Sequence, residues 1–454
     1  MKIVLISTYE LGRQPFGLAS PAAWLRKRAH HVTCLDLSRE ELAEQAVREA
    51  GLIAFYVPMH TATRLTLELI EPIRRLNPST HLCAYGLYAP LAAESFQAAG
   101  VNSLFGGEFE QALVDLAEHL SGLSASPHVH PLDSNISVAR LRFQTPDRSG
   151  LPALHNYAHL ILPGGEHRTV GYTEASRGCK HVCRHCPIVP VYNGVFRIID
   201  RDVVLSDIRQ QVAAGAQHIT FGDPDFFNGV GHAIPLVEAL HQEFPRLTYD
   251  VTIKVEHLLK NEALLPTLQR TGCVLIISAV ESLDPLTLNK LQKNHTREDF
   301  VRALAKCRQF NIALQPTFVP FTPWATFEHY LDLLHQVRRL DLIDAVAPIQ
   351  LAIRLLIPPG SRLLDLPEVR QQVGPFDAKL LVYPWEHKDP GVDRLADQIQ
   401  EIVAQGEKRK LSRAKVFEQI WQAAHQAAGR FVDLPQVPIG AAGGVPYLNE
   451  PWYC

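Results

Sequence analysis

The chain has 454 residues, 46% of them hydrophobic, and a formal net charge of −3. A chain of this length suggests about three domains at ~150 residues each, with cores large enough to need no disulfide staples. The charge balance gives no reason to expect a nucleic-acid or membrane-surface partner, Met1–Ser7 is too short an apolar run for a signal peptide, and no stretch approaches the ~18 apolar residues of a membrane span.

The first elements alternate short apolar strands with helices. Strands are predicted over Lys2–Ser7, His31–Leu37, Gly51–Val57 and His81–Gly86, and helices over Pro21–His30 and Thr63–Leu76. Nearly continuous apolar runs of this kind mark a parallel, doubly wound sheet buried on both faces. This is an α/β, Rossmann-like domain, assigned to residues 1–122. Such sheets bind ligands beyond the carboxyl ends of their strands, so the loops 58–63, 85–90 and 105–110 are expected to face a crevice. They offer His60, Thr61, Tyr85, Gly86, Gly106, Gly107 and Glu108. The order of elements and the Gly-Gly-Glu-x-Glu turn are similar to the cobalamin-binding domain that precedes many radical S-adenosylmethionine (SAM) enzymes. That resemblance implies that these seven residues contact cobalamin. Domains that hold cobalt through histidine carry Asp-x-His-x-x-Gly after the first strand, whereas this chain reads Thr8-Tyr-Glu-Leu-Gly12. Any corrinoid is therefore expected without a protein imidazole ligand, and the domain could instead keep the fold and bind none.

A Ser/Pro/His-rich stretch over 121–150 has little periodicity and reads as a linker, assigned to 123–165. It leads to Ser176-Arg-Gly-Cys-Lys-His-Val-Cys-Arg-His-Cys-Pro187. Cys179, Cys183 and Cys186 on one loop can hold three corners of a cubane iron–sulfur cluster, where four protein ligands are the rule. The fourth iron is left open for a ligand, as in catalytic metal sites. A zinc site is the alternative, because Cys179, His181, Cys183, His185 and Cys186 exceed the four ligands zinc takes. The C-x3-C-x2-C spacing resembles the cluster loop of the radical SAM superfamily, in which the open iron of a [4Fe–4S] cluster chelates SAM. One departure is His185, where an aromatic residue commonly precedes the last cysteine.

Further along, strands are predicted at Gln217–Phe226, Tyr249–Glu256, Cys273–Ser282, Ala313–Pro320 and Ala345–Ile357. With a first strand near Val170 they make a partial (β/α)6 TIM-type barrel, assigned to 166–365, whose active site belongs at the C-terminal strand ends. Polar residues recur there. The resemblance implies that Gly222, Asp223 and Asp225 lie where the SAM ammonium is gripped, and that Glu281 and Ser282 lie near the SAM ribose. Lys254 and Glu256 fall on one face of the third strand by alternation, and Lys254 is counted with the SAM set. Taken singly, Asp223 could cap a helix and Lys254 could be a solvated charge.

Residues 366–454 read as a helical region, 391–430, followed by a Pro/Gly-rich tail. Cys34, Cys83, Cys273 and Cys307 lie in apolar or amphipathic segments and read as buried thiols, which suits a reduced cytoplasm. The tail Pro451-Trp-Tyr-Cys454, with the Pro320–Trp324 and Ile353–Pro358 segments, resembles radical SAM proteins in which Trp-Tyr-Cys continues with cysteine or selenocysteine and then Ala-Glu-Pro. That resemblance implies a reading frame closed early at a selenocysteine codon after Cys454; the alternative is a chain that ends there. The combined expectation is a radical SAM enzyme with [4Fe–4S], SAM and cobalamin, methylating an unactivated carbon or phosphorus. It would draw electrons from a flavodoxin or ferredoxin-like donor. The other readings are a radical rearrangement or modification without methyl transfer, and a non-catalytic iron–sulfur or zinc protein.

Overall fold

The computed structural model describes residues 1–123, 135–430 and 444–450. Strands β1 (Lys2–Ser7), β2 (His31–Asp36), β3 (Leu52–Tyr56), β4 (His81–Tyr85), β5 (Ser103–Gly107) and β6 (Asn135–Ser137) form one parallel sheet in the order β2-β1-β3-β4-β5-β6. Successive strand residues point to opposite faces, so Val4, Ile6, Ile53 and Phe55 enter one core while Ile3, Leu5, Leu52 and Ala54 enter another. Both faces are covered by helices, which is why the strands read as unbroken apolar runs. β6 comes from the stretch read as a linker, and its parallel pairing with β5 ties that stretch to the sheet.

The helix after β1 spans Phe16–Lys27 and starts earlier than expected, with Pro21 inside it. Proline lacks the N–H that would bond the carbonyl four residues back. That carbonyl, Gly17 O, instead accepts the hydroxyl of Tyr85 at 2.8 Å. Gly17 lies flat against the Tyr56 ring, where a Cβ would fall 2.2 Å from the ring carbon.

The second sheet contains β7 (His159–Ile161), β8 (His167–Thr173), β11 (His218–Phe221), β12 (Thr248–Thr252), β13 (Cys273–Glu281), β14 (Ala313–Phe318) and β15 (Tyr447–Leu448). Its order is β14-β13-β12-β11-β8-β7-β15, parallel from β8 to β14 and antiparallel at β7 and β15. A separate hairpin of β9 (Ser176–Gly178) and β10 (Phe196–Ile198) brackets the cysteine loop.

Two strand expectations are corrected. Ala345–Ile357 forms no strand: Pro348 starts a 3-10 turn over Pro348–Leu351, and only the parallel bridge Phe321–Arg354 continues the barrel. The segment Tyr249–Glu256 leaves the sheet at Thr252. Lys254 then leads into a helix over Val255–Lys260, so Lys254 and Glu256 do not share a strand face.

Helices Pro390–Lys408 and Arg413–Ala427 pack their apolar faces into the barrel core, with Trp421 fully buried. Among the described residues no helix is long and apolar enough to cross a membrane. The tail residues Pro451–Cys454 lie outside the described residues.

Candidate active site

The carboxyl ends of both sheets face one another across a crevice of about 310 Å³. The first sheet lines it with Glu10 and Arg13 after β1, Tyr56 and Met59 around the end of β3, Gly86 after β4, and Gly107 and Phe109 at the end of β5. The barrel supplies Tyr172, Glu174, Arg177, Tyr192, Gly222 and Asp223. Of the residues singled out by sequence, Gly86, Gly107, Gly222 and Asp223 line it.

Gly107 has φ +72°, and a Cβ there would sit 2.1 Å from Ser137 O, so the entry of the chain onto the helix Glu110–Leu120 requires glycine. Gly222 is pressed against the Tyr172 hydroxyl, 2.0 Å from where its Cβ would stand. Asp223 is buried and accepts hydrogen bonds from Ala175 N at 2.9 Å and from the Ser176 hydroxyl at 2.5 Å. Burial raises its pKa to about 7 against those hydrogen bonds.

The three cysteines of the loop are free thiols, Cys179 and Cys183 buried and Cys186 half-buried. Burial pushes the Cys186 thiol up to about 12, and the neighbouring Cys183 and Cys179 add to the rise. Three thiols close enough to oppose one another's ionisation are suited to a metal that takes them as thiolates. Lys254 is buried beside them, its Nζ 3.8 Å from Cys183 Sγ and 3.7 Å from Glu256. Cys179 Sγ lies 3.8 Å from Asn228 Oδ1.

The remaining sequence candidates lie elsewhere. Asp225 sits under the cysteine loop, with His257 at 2.7 Å and His181 at 3.5 Å, and caps the turn at Phe227 N. Glu281 ends β13 in the left-handed region, φ +67°, at an irregularity in the pairing with β14. Burial opposes its ionisation, but Lys293 at 3.6 Å and His185 at 3.3 Å bring it down to about 2. His185 therefore turns to Glu281. Ser282 accepts from Asp284 N in the following turn. His60 lies 2.6 Å from Leu380 O at the start of the helix His60–Leu76, with Thr61 next to it. Tyr85 points inward to Gly17, and a Cβ on Gly106 would meet Pro90 at 2.7 Å.

Glu108 takes part in a buried network that the sequence reading missed. Arg177 donates to Glu174 at 2.6 Å, to Glu110 at 2.7 and 3.0 Å, and to Glu108 at 3.3 Å. Its guanidinium also lies over the Phe109 and Phe143 rings. Burial lifts Glu108 to about 7, with Arg177 opposing and Glu110 reinforcing the rise. The Tyr192 hydroxyl donates to its other oxygen at 3.1 Å. Glu108 and Glu110 belong to the first sheet's domain and Glu174 and Arg177 to the barrel, so the network joins them behind the crevice. The available signal was the pairing of an acidic Glu-x-Glu turn with an arginine flanked by a third acid.

The Radical SAM superfamily model matches residues 173–334. A hopanoid C-3 methylase of Methylococcus capsulatus is 26% identical over 149 residues, a match covering 32% of this chain and 28% of that protein. Among solved structures, the cobalamin-dependent S-adenosylmethionine radical enzyme OxsB, with aqua-cobalamin and SAM bound, gives a TM-score of 0.70 at 15% identity. It covers 89% of this chain and 67% of that one. The radical SAM methyltransferase TsrM from Kitasatospora setae, with cobalamin and a [4Fe–4S] cluster bound, gives 0.59 at 18% identity. It covers 75% of this chain and 73% of that one. These likenesses establish the shared fold, a parallel sheet domain joined to a curled half-barrel.

Proposed function

We propose that this chain, which carries a radical SAM domain over residues 173–334, is an enzyme that binds [4Fe–4S], SAM and cobalamin and transfers a methyl group to an unactivated carbon or phosphorus. The observation that carries the reading is the crevice itself, in which the ligand-binding ends of both sheets open onto one shared space.

The residues present suit these groups. Cys179, Cys183 and Cys186 would hold the cluster: three soft donors, none in a disulfide, with the Lys254 ammonium beside them to offset negative charge. Asp223, at the mouth of β11, would hold the SAM ammonium. No histidine lines the crevice among the described residues, so a corrinoid would sit there without an imidazole from the protein. When bound, cluster and SAM supply a 5′-deoxyadenosyl radical by reductive cleavage, and cobalamin supplies a methyl carrier. The chain's own part is to bring these reactive atoms together and to exclude water. The Arg177 network holds the two domains at one separation, and Tyr56, Phe109, Tyr172 and Tyr192 wall the space with aromatic surface. Electrons would come from a flavodoxin or ferredoxin-like donor.

The test is anaerobic reconstitution with iron, sulfide and cobalamin, followed by reduction with SAM present. The reading expects 5′-deoxyadenosine and, on turnover, S-adenosylhomocysteine. Deoxyadenosine with no corrinoid retained would leave a radical modification without methyl transfer. One observation favours a different metal reading: ligand atoms of Cys179, His181 and Asp225 lie within 4.8 Å of one another. Tight zinc without sulfide would establish that one.

A further inference from the structure

Glu10 stands out in the crevice. It follows β1, is 5% exposed, and lines the space between the sheets, yet its Oε2 has no hydrogen-bond partner among the described residues. Buried polar atoms are nearly always paired, so an orphan at a ligand site calls for an occupant. The charges around it do not supply one. Arg13 on the same loop is taken by Glu450, at 2.9 Å from its Nε. Arg148 is held bidentate by Asp207 at 2.7 and 2.9 Å. Asp36 and Glu174 face Glu10 with the same sign, and Tyr56 and Tyr172 close the remaining sides. Burial, reinforced by Glu174, raises the Glu10 pKa well above the usual carboxylate range.

We propose that Glu10 is the group the first domain turns toward the cobalt of a bound corrinoid, a carboxyl that hydrogen-bonds the axial water rather than coordinating the metal. This assignment rests on the cobalamin reading. It goes further by naming one residue of this chain and its role, that of a positioning residue for the corrinoid. Beside a cationic aqua-cobalamin Glu10 would release its proton to solvent, and the carboxylate would pair with the cation. Arg13 would stay with Glu450 and leave Glu10 free to do so.

Aqua-cobalamin is the probe, loaded anaerobically onto the full-length protein and onto Glu10→Gln. The visible spectrum follows loss of the proton from the cobalt-bound water as pH is raised. In the parent protein that transition should lie at least about one pH unit above its position in Glu10→Gln, the size of shift an adjacent opposite charge produces. A second variant, Glu10→His, guards against a folding failure of the first. Its Co(II) form should show nitrogen splitting in electron paramagnetic resonance that the parent lacks. Equal transitions in parent and Glu10→Gln, with no nitrogen splitting in Glu10→His although corrinoid is retained, would overturn the role of Glu10 alone. Failure of all three proteins to retain aqua-cobalamin would overturn the cobalamin reading and the assignment with it.

Discussion

Replacing Arg177 with methionine should separate the two halves of this molecule energetically. The guanidinium is buried, its side chain 8% exposed, and the side chains of Glu108 and Glu110 are fully buried. Methionine keeps most of the apolar stem and its packing on Phe109 and Phe143 but removes every donor. Breaking a buried charge pair from one side costs about 3–5 kcal/mol, because the abandoned partner remains desolvated. Here three carboxylates are abandoned together. Protonation limits the loss, since Glu108 already titrates at about 7 and Glu174 is also raised by burial. A destabilisation of about 3–5 kcal/mol is therefore expected, most of it from Glu110, which takes two of the four hydrogen bonds. Glu110→Gln alone should cost less, and the double variant should cost less than the sum of the singles, as for residues sharing one network. Urea unfolding followed by tryptophan fluorescence and far-UV dichroism measures this. The parent should unfold in one transition, and Arg177→Met in two, as the domains lose their common anchor. A loss under about 1 kcal/mol with a single transition retained would refute the reasoning, showing that the aromatic contacts carry the interface.

Anaerobic reconstitution should load about four irons and four sulfides per chain, and replacing Cys179, Cys183 and Cys186 together with alanine should abolish both, as read by iron and sulfide assays. SAM affinity should fall as pH drops below about 7, by up to about tenfold per unit, because protonating Asp223 removes the charge that pairs with the ammonium. Asp223→Asn should bind more weakly above pH 7 and lose that dependence; titration calorimetry across pH 6–8 decides it. Lys254→Met, which leaves Cys183 without its nearby ammonium, should lower the cluster's reduction potential, and an unchanged potential in spectroelectrochemistry would count against charge compensation by Lys254.

The sheet domain and most of the barrel were legible because their signal is local. An apolar run such as Cys273–Glu281 can only be satisfied by burial on both faces, and the structure buries it. The three cysteines are equally local, spaced on one loop. Lys254 was misplaced on a strand because alternation continues past Thr252, while the helix beginning at Val255 leaves only a weak signal in six residues. The Arg177 network could not be assembled from spacing alone, since only Glu174 is local and its other two acids lie 67 and 69 residues away in sequence. Tyr85 was taken for a crevice residue because it ends a strand. Its hydroxyl is diverted inward by the carbonyl that Pro21 leaves unsatisfied, a debt incurred in a different element.

The crevice is walled by parts of the chain that meet only in three dimensions, and β15 shows why that matters. Its two residues pair with β7 and extend the barrel sheet beyond its parallel strands. Asn449 fixes the register by accepting from His159 N at 2.5 Å. Glu450 then reaches across to Arg13, in the loop that also carries Glu10. Arg13 lies over the Tyr172 ring, on the barrel side of the same space. The last described residues of the chain thus pair with the first loop. With Arg13 donating to Glu450, Glu10 Oε2 is left without a hydrogen-bond partner among the described residues, although Arg13 and Arg148 still favour its ionised form. A carboxyl oxygen left without a partner on the wall of a crevice, beside an arginine engaged by a residue more than four hundred positions later, is the arrangement on which the role proposed for Glu10 rests.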